Sequence, residues 1–433
     1  MTVLDSARAA LTTGEVCDAC LGRPFADRSF GLTNPARGRA LRTTIALEDD
    51  EPYESPDDCW VCEGHSFRYD EWADRIVDAL DGIEFETYQV GTRVPPLIEE
   101  NDALLREEAC GDPDAGEPFK SGFNREVGKR VGERANVAVD FERPDVLVLA
   151  HLERESVEVQ INPAFVYGRY RKLERDIPQT EWPCNDCGST GIQMAADGTK
   201  EDCDGCGGTG YRYDRSVEGL TAPAVQTAMD GDDAIFHGAG REDVDARMLG
   251  TGRPFVIEVK RPRDRFPDLQ ALEAQINDQA NGAVEVERLR LANHSMVERV
   301  KELPASKTYR MDVALEAALD ESAFDDALER LDGATIEQHT PQRVDHRRAS
   351  LTRIREVYAI DGTVHTPQEV ELEVHGAGGL YVKELVSGDD GRTEPSFAGL
   401  LGVGAEVTAL DVLAVEGEDE PFALDEHLRN GNG

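Results

Sequence analysis

The sequence predicts an α+β protein with a mixed, largely antiparallel sheet, and three observations lead there. From about residue 215 to the end, helical patterns ("SVEGLTAPAVQTAM", "DLQALEAQINDQA", "ESAFDDALERLDG") are interspersed with strand patterns ("AIFHGAG", "PFVIEVKR", "TYRMDVAL", "REVYAIDG", "VELEVHGAGGLYVKELV"). From about residue 76 to 180 the pattern is again mixed. The chain has 433 residues and 39% hydrophobic content, enough for two or three domains that each bury a core.

Taken in order, residues 1–75 hold two cysteine pairs, "CDAC" (Cys17, Cys20) and "CWVC" (Cys59, Cys62), with an acidic Pro-containing run before the second. They form the expected metal-binding N-terminal region. Residues 76–180 form the expected accessory domain. In it "FETYQVGTRV" alternates as a strand does, and "RYDEWADRIVDALDGI", at its leading edge, and "FKSGFNREVGKRVGERA" have helical spacing. "DVLVLAHL" reads as a buried strand and "SVEVQINPAFVYGRY" as a half-buried one. Residues 181–212 are a compact insert whose glycines mark turns; no lysine or serine closes a phosphate-loop pattern. Residues 213–433 form the last domain, and the final dozen residues, ending "RNGNG", read as frayed.

The chain has 46 basic and 87 acidic residues, a net charge of −41, and only eight lysines. Pervasive acid with scarce lysine suits a protein that stays soluble in molar salt, where the Debye length falls to about 3 Å. Such a protein should need molar salt to fold and act, and its global charge says little about nucleic acid. Local basic islands say more: "FVYGRYRKLER" (165–175), "RPFVIEVKRPRDR" (253–265) and "RVDHRRASLTRIR" (343–355) are each candidates to track RNA phosphates. No leader-like or membrane-spanning run occurs, which predicts a cytoplasmic location.

Eight of nine cysteines fall into four C-x-x-C pairs. Cys184, Cys187, Cys203 and Cys206 form C-x2-C-x15-C-x2-C, the spacing of a structural zinc ribbon. Cys17, Cys20, Cys59 and Cys62 have 38 residues between the pairs and predict a second site; His65 is the alternative ligand there. Four thiolates close a tetrahedron, so both sites should be structural. Cys110 reads as an ordinary thiol.

The stretch "AIFHGAGREDVDARMLGTGRPFVIEVKRP" (234–262) places Asp243 and Asp245 after a glycine-rich turn. Three readings compete. Asp243 acts as a lone catalytic acid; Asp243 with Glu258 and Lys260 forms the D…E-x-K set of a metal-dependent nuclease, since E-x-K on a strand faces one way; or both acids merely cap a strand end. The non-enzymatic possibility is a zinc-dependent RNA-binding or chaperone protein whose active site is silent.

The segment "GREDVDARMLGTGRPFVIEV" resembles the G-R-x-D motif of the pseudouridine synthases, and specifically the archaeal and eukaryotic tRNA pseudouridine(54/55) synthase family. "CDACLGRPF", "RDIPQTEWPC", "GYRYDRSVEGL", "QHTPQRVDHRRASLTRIREV" and "GLYVKELVSGDDGRTEPSFAGLL" also fit, so the resemblance spans nearly the whole chain. Leu380 stands where that family's G-T-Y pattern has threonine, and the N-terminal half carries acidic insertions. The resemblance implies a pseudouridine synthase catalytic domain preceded by a zinc-binding, THUMP-containing region, acting on the tRNA T-loop. It also implies a cofactor-free isomerisation of uridine 54, uridine 55 or both, with no obligatory protein partner. It makes Asp243 the nucleophile, Lys383 its ion-pair partner and Tyr309 the ring that stacks on a flipped uracil. A cation is expected beside Asp243 because a buried carboxylate would otherwise take up a proton. Arg241, Lys383, Arg347 and Arg348 are the expected RNA contacts.

Overall fold

Residues 2–54, 56–195, 198–342 and 350–429 are described by the computed structural model. The chain divides into two compact units, residues 1–162 and 163–433.

The first unit begins with helix α1 (Val3–Thr12), where Thr2 and Asp5 cap each other's backbone N–H reciprocally. Next come α2 (Asp18–Gly22), α3 (Asn34–Asp49) and α4 (Tyr69–Ala79). The apolar spacing predicted α4, which turns Tyr69, Trp72, Ala73 and Ile76 inward. The remaining elements are β1 (Thr87–Arg93), α5 (Pro96–Cys110), α6 (Phe119–Ala135), β2 (Ala138–Val139), β3 (Val146–His151) and β4 (Ser156–Ile161). Their sheet runs β2-β1-β3-β4, with β1 parallel to both neighbours and β3–β4 an antiparallel pair. Trp72, Phe119, Phe123 and the cysteines of the first cluster share one core.

The second unit opens with β5 (Ala164–Lys172), the metal-insert hairpin β6 (Ile192–Met194) and β7 (Lys200–Asp202), then α7 (Val217–Ala228), β8 (Asp233–Gly238) and β9 (Arg247–Lys260). It continues through α8 (Leu269–Ala280), β10 (Val284–Ala292), α9 (Ser295–Glu302), β11 (Ala305–Leu315), α10 (Glu321–Leu331), β12 (Thr335–His339) and β13 (Thr352–Thr366). The last elements are β14 (Glu369–Gly376), α11 (Val382–Ser387), β15 (Thr393–Glu394), α12 (Phe397–Leu401) and β16 (Ala405–Gly417). Ten strands form one sheet in the order β10-β5-β9-β16-β11-β14-β13-β12-β15, with β8 also pairing β9. Every pair is antiparallel except β9–β16, which meet in parallel over only two paired positions, Arg247↔Asp411 and Met248↔Val412. The sheet therefore has a narrow join near its middle, and Asp411 pins it by accepting from both Arg247 and Arg175.

Four expectations change. "SVEVQINPAFVYGRY" is two strands, not one: β4 closes the first unit, and β5 is an interior strand of the second unit's sheet, between β10 and β9. Pro163, which has no N–H to donate, lies at the break. The accessory region expected to run to 180 thus gives way at Asn162, and the unit carrying the large sheet starts before the insert rather than at 213. The run "VELEVHGAGGLYVKELV" splits into β14 and helix α11, because Gly378–Gly379 ends the strand and short apolar runs suit either state. The expected fraying of the last dozen residues does not hold through Arg429: Phe422 is buried, and Leu428 bridges to Ala292. No described helix is long and apolar enough to cross a membrane.

Candidate active site and metal centres

A cleft of about 560 Å³ lies over the middle of the large sheet. Side chains that alternate to one face build its floor: Lys307 and Tyr309 from β11, Leu410 and Val412 from β16, and Arg253 from β9. Arg353 and Arg355 of β13 line it, as do Gly379–Lys383, which lead into α11. The Gly240–Asp243 turn, which follows β8, contributes Arg241, Glu242 and Asp243.

A buried polar network holds this turn in place. The Glu242 carboxylate is fully buried and accepts from Arg253 Nε at 2.9 Å and from the Tyr170 hydroxyl at 2.9 and 3.1 Å; Lys172 Nζ lies 3.7 Å away. Arg253 Nη1 donates to the Ala239 carbonyl at 2.7 Å, Gln179 to the Gly240 carbonyl at 2.9 Å, and Lys172 to the Asp243 and Val244 carbonyls at 3.2 Å. Gly240 has φ +70°, and a Cβ there would point toward Arg253 Nη1 at 3.5 Å and Lys307 Nζ at 3.8 Å, so the turn suits glycine. Asp243 is consequently presented at the cleft by a clamped backbone.

Lys383 Nζ lies 3.3 Å from Asp243 Oδ2 and 3.4 Å from Asp245 Oδ2. The two expected partners are together, and Asp245, given no role by the sequence, shares the lysine. Asp243 is not buried as anticipated: its side chain is 47% exposed, so water as well as Lys383 can solvate its charge. Tyr309 is buried, and burial first, with Asp243 nearby, pushes its hydroxyl up to about 12 despite the opposing Arg253. It remains a neutral ring against the cleft. Arg241 is exposed at the cleft mouth, while Arg347 and Arg348 lie outside the described residues.

The nuclease set does not assemble. Asp243 lines the cleft, but Glu258 and Lys260 do not; Glu258 is engaged by His237 at 2.9 Å and by Lys260. Five residues along β9, roughly 16 Å at strand rise, separate Glu258 from cleft-lining Arg253. Two basic islands are largely taken up by pairing within the protein. In 165–175, Arg169 and Lys172 are buried, Arg171 pairs with Glu285 and Arg175 with Asp411. In 253–265, Arg253 and Arg265 are buried, and Lys260, Arg261 and Arg263 pair with Glu258, Asp232 and Asp230. Neither island's sequence shows which cations the fold consumes. The third keeps Arg353 and Arg355 in the cleft.

Both cysteine sets converge, the four sulfurs of each lying within 4.8 Å of one another. Neighbouring sulfurs at 3.5–3.9 Å match the ~3.8 Å edge of a tetrahedron with ~2.3 Å metal–sulfur bonds. In the first set all four are buried, and Arg23 donates to Cys20 Sγ at 3.1 Å while paired with Asp102 at 2.9 Å, a counter-charge for thiolates. His65 is buried nearby but outside the four-sulfur group. In the second set the N–H groups of Gly191 and Gly210 donate to Cys187 and Cys206 Sγ at 3.3 and 3.2 Å, from positive-φ turns that glycine permits. Cys110 donates to the Pro24 carbonyl and takes no part.

Comparison with known proteins agrees with this geometry. The family described as "Pus10, C-terminal" matches residues 165–416, and "Pus10 THUMP domain, archaeal" matches 72–151. A relative named tRNA pseudouridine synthase Pus10 from Halorubrum lacusprofundi is 62% identical over 431 residues, covering 99% of this chain and 100% of its own. Proteins of the same name from Methanothrix thermoacetophila and Pyrococcus furiosus are 42% and 38% identical, covering 96% and 95% of this chain and 95% and 98% of theirs.

Proposed function

Because this chain belongs to the Pus10 family and is a tRNA pseudouridine synthase, we propose that it converts uridine 54, uridine 55 or both, in the T-loop, to pseudouridine through Asp243. The observation that carries this reading is the clamped Gly-Arg-Glu-Asp turn, which puts Asp243 beside Lys383 at a cleft floored by Tyr309. The reaction breaks the bond from C1′ to N1, turns the uracil, and joins C1′ to C5. A base inside a folded tRNA must first leave its stack, and Tyr309 supplies the ring on which it rests. The Asp243 carboxylate then attacks the substrate as nucleophile or stabilises a cationic sugar. Lys383 orients that carboxylate and shares its charge between Asp243 and Asp245. Arg241 at the mouth, with Arg347 and Arg348, contacts tRNA phosphates. The acidic, lysine-poor surface suits the salt-rich cytoplasm of a halophile.

Incubating unmodified tRNA with the protein in molar salt, then mapping pseudouridine by carbodiimide treatment and primer extension, should give stops at 54, 55 or both. They should persist when Mg²⁺ is removed from a prefolded tRNA. Cleaved tRNA, or stops elsewhere only, would sink the assignment.

We assign zinc to both four-cysteine sites, as structural ions that hold backbone rather than do chemistry. Elemental analysis should find two zinc ions per chain. The first cluster belongs to the core of its unit, so Cys20→Ser should unfold that unit. The second is carried by the small hairpin β6–β7, whose strands are mostly exposed, so Cys206→Ser should leave the circular dichroism of the rest unchanged. One zinc or none in freshly purified protein would overturn the two-site reading.

A further inference from the structure

We propose that Lys307 is a catalytic residue whose ammonium donates a hydrogen bond to a carbonyl oxygen of the flipped uracil and stabilises the charge on that ring after the glycosidic bond breaks. This rests on the active-site reading given above. Lys307 has no hydrogen-bond or ion-pair partner among the described residues, although it lines a cleft in a chain with nearly twice as many acids as bases. Of the other cations in the cleft, Arg253 is committed to Glu242 and Ala239, Lys383 to Asp243 and Asp245, and Arg353 to Thr340 and Leu351. Arg355 donates through Nη1 to the Ile354 carbonyl and keeps a buried Nε without a partner, but it stands on β13 rather than beside Tyr309 on the floor. Glu242 is close enough to act on the Lys307 charge, but its oxygens are taken up by Arg253 and Tyr170 and it makes no ion pair with Lys307. A half-buried cation without an ion-pair partner is costly to fold, which points to a partner that arrives with the substrate.

Position selects the base over the phosphate as that partner. Lys307 stands two residues before Tyr309 on the same face of β11, so both side chains reach into the cleft from its floor, and Nζ lies beside Gly240 and Arg253. Phosphates stay on the water side, where Arg241 is exposed. When the C1′–N1 bond breaks, its electron pair passes to the uracil and spreads over N1, O2 and O4, while C1′ is held by the Asp243 carboxylate. The ring turns, C5 gives an electron pair to C1′ and the carboxylate departs with its own. C5 then loses its proton and N1 gains one, so the step is an isomerisation without net transfer. A half-buried ammonium held at the cleft floor gives a hydrogen bond that strengthens as the charge develops.

The charged and titratable groups that line the cleft with Lys307 are Arg241, Glu242 and Asp243 from the turn, Arg253 on β9, Tyr309 on its own strand, Arg353 and Arg355 on β13, and Tyr381 and Lys383 at the start of α11. Burial first, and Arg253 second, bring the Lys307 ammonium down to about 8, with Glu242 opposing. The form that acts is protonated, so kcat/KM, which reports the free enzyme, should fall as pH rises through about 8.

The test is single-turnover pseudouridine formation and tRNA binding, at constant molar salt, for Lys307→Gln and Lys307→Arg. Lys307→Gln should lower the rate constant about 10²–10³-fold and change Kd little. Lys307→Arg should recover much of the rate and move the alkaline limb to higher pH, because a guanidinium does not titrate there. A wild-type rate for Lys307→Gln would overturn the proposal, as would a loss confined to KM, the mark of a phosphate contact. Failure of Lys307→Arg to restore rate, with a lowered unfolding midpoint in both variants, would make Lys307 structural. If Asp243→Asn stays active, the site itself is misread, an outcome distinct from any of these.

Discussion

Asp243→Asn should lower pseudouridine formation by at least about 10⁴-fold while leaving tRNA affinity within error of wild type. The amide keeps the volume of the side chain and the turn that carries it, but it can neither attack carbon nor offset positive charge on a sugar. Folding should survive, because the turn is held by Glu242, Arg253, Lys172 and Gln179 through backbone and carboxylate contacts that do not involve the Asp243 side chain. Asp245→Asn should cost little by comparison, since Asp243 still holds Lys383. Single-turnover kinetics with tRNA binding measured beside them separates the cases. Pseudouridine formed by Asp243→Asn at the wild-type rate would remove Asp243 from the chemistry.

Glu242→Gln should have the largest effect on stability, about 3–5 kcal/mol, because it strands Arg253 and Lys172 in the core without their carboxylate. Both cations are essentially inaccessible to water, so solvent cannot take over. The measurement is the denaturant midpoint for the second unit at fixed molar salt. Adding Arg253→Met to Glu242→Gln should recover part of the loss, since the double change removes both ends of the main pair. An unchanged midpoint for Glu242→Gln would mean that the network holds nothing. Activity should fall along with stability, because the same network fixes the backbone on either side of Asp243.

Much of the site could be read from the sequence, for physical reasons that differ by residue. The cysteines are legible because four ligands must converge and C-x-x-C spacing does half of that locally. Asp243 is legible through a short turn sequence, and α4 through its helical period. Glu242 was not singled out, although it sits in the same turn, since its partners come from β5 and β9 and only the folded sheet brings them together. Lys172 and Arg253 were misread as surface cations for that reason: in an acidic chain a lone cation on a strand looks available, and burial is a property of the sheet order. Helix α11, which carries Lys383, was read as a strand because its apolar residues continue the alternation of β14 past two glycines. Asp245 gained a role only when Lys383 was seen to reach both carboxylates.

That shared lysine has a use at the bench. Two acids on one base mean that the chemistry and the local charge balance are supplied by different side chains. A protein carrying Asp243→Asn still has Asp245 to neutralise Lys383, so it should keep a wild-type grip on RNA that it cannot convert. Immobilised on a resin and exposed to total cellular RNA, that variant becomes a bait, and sequencing what it retains would give a census of the molecules this enzyme engages in its own host.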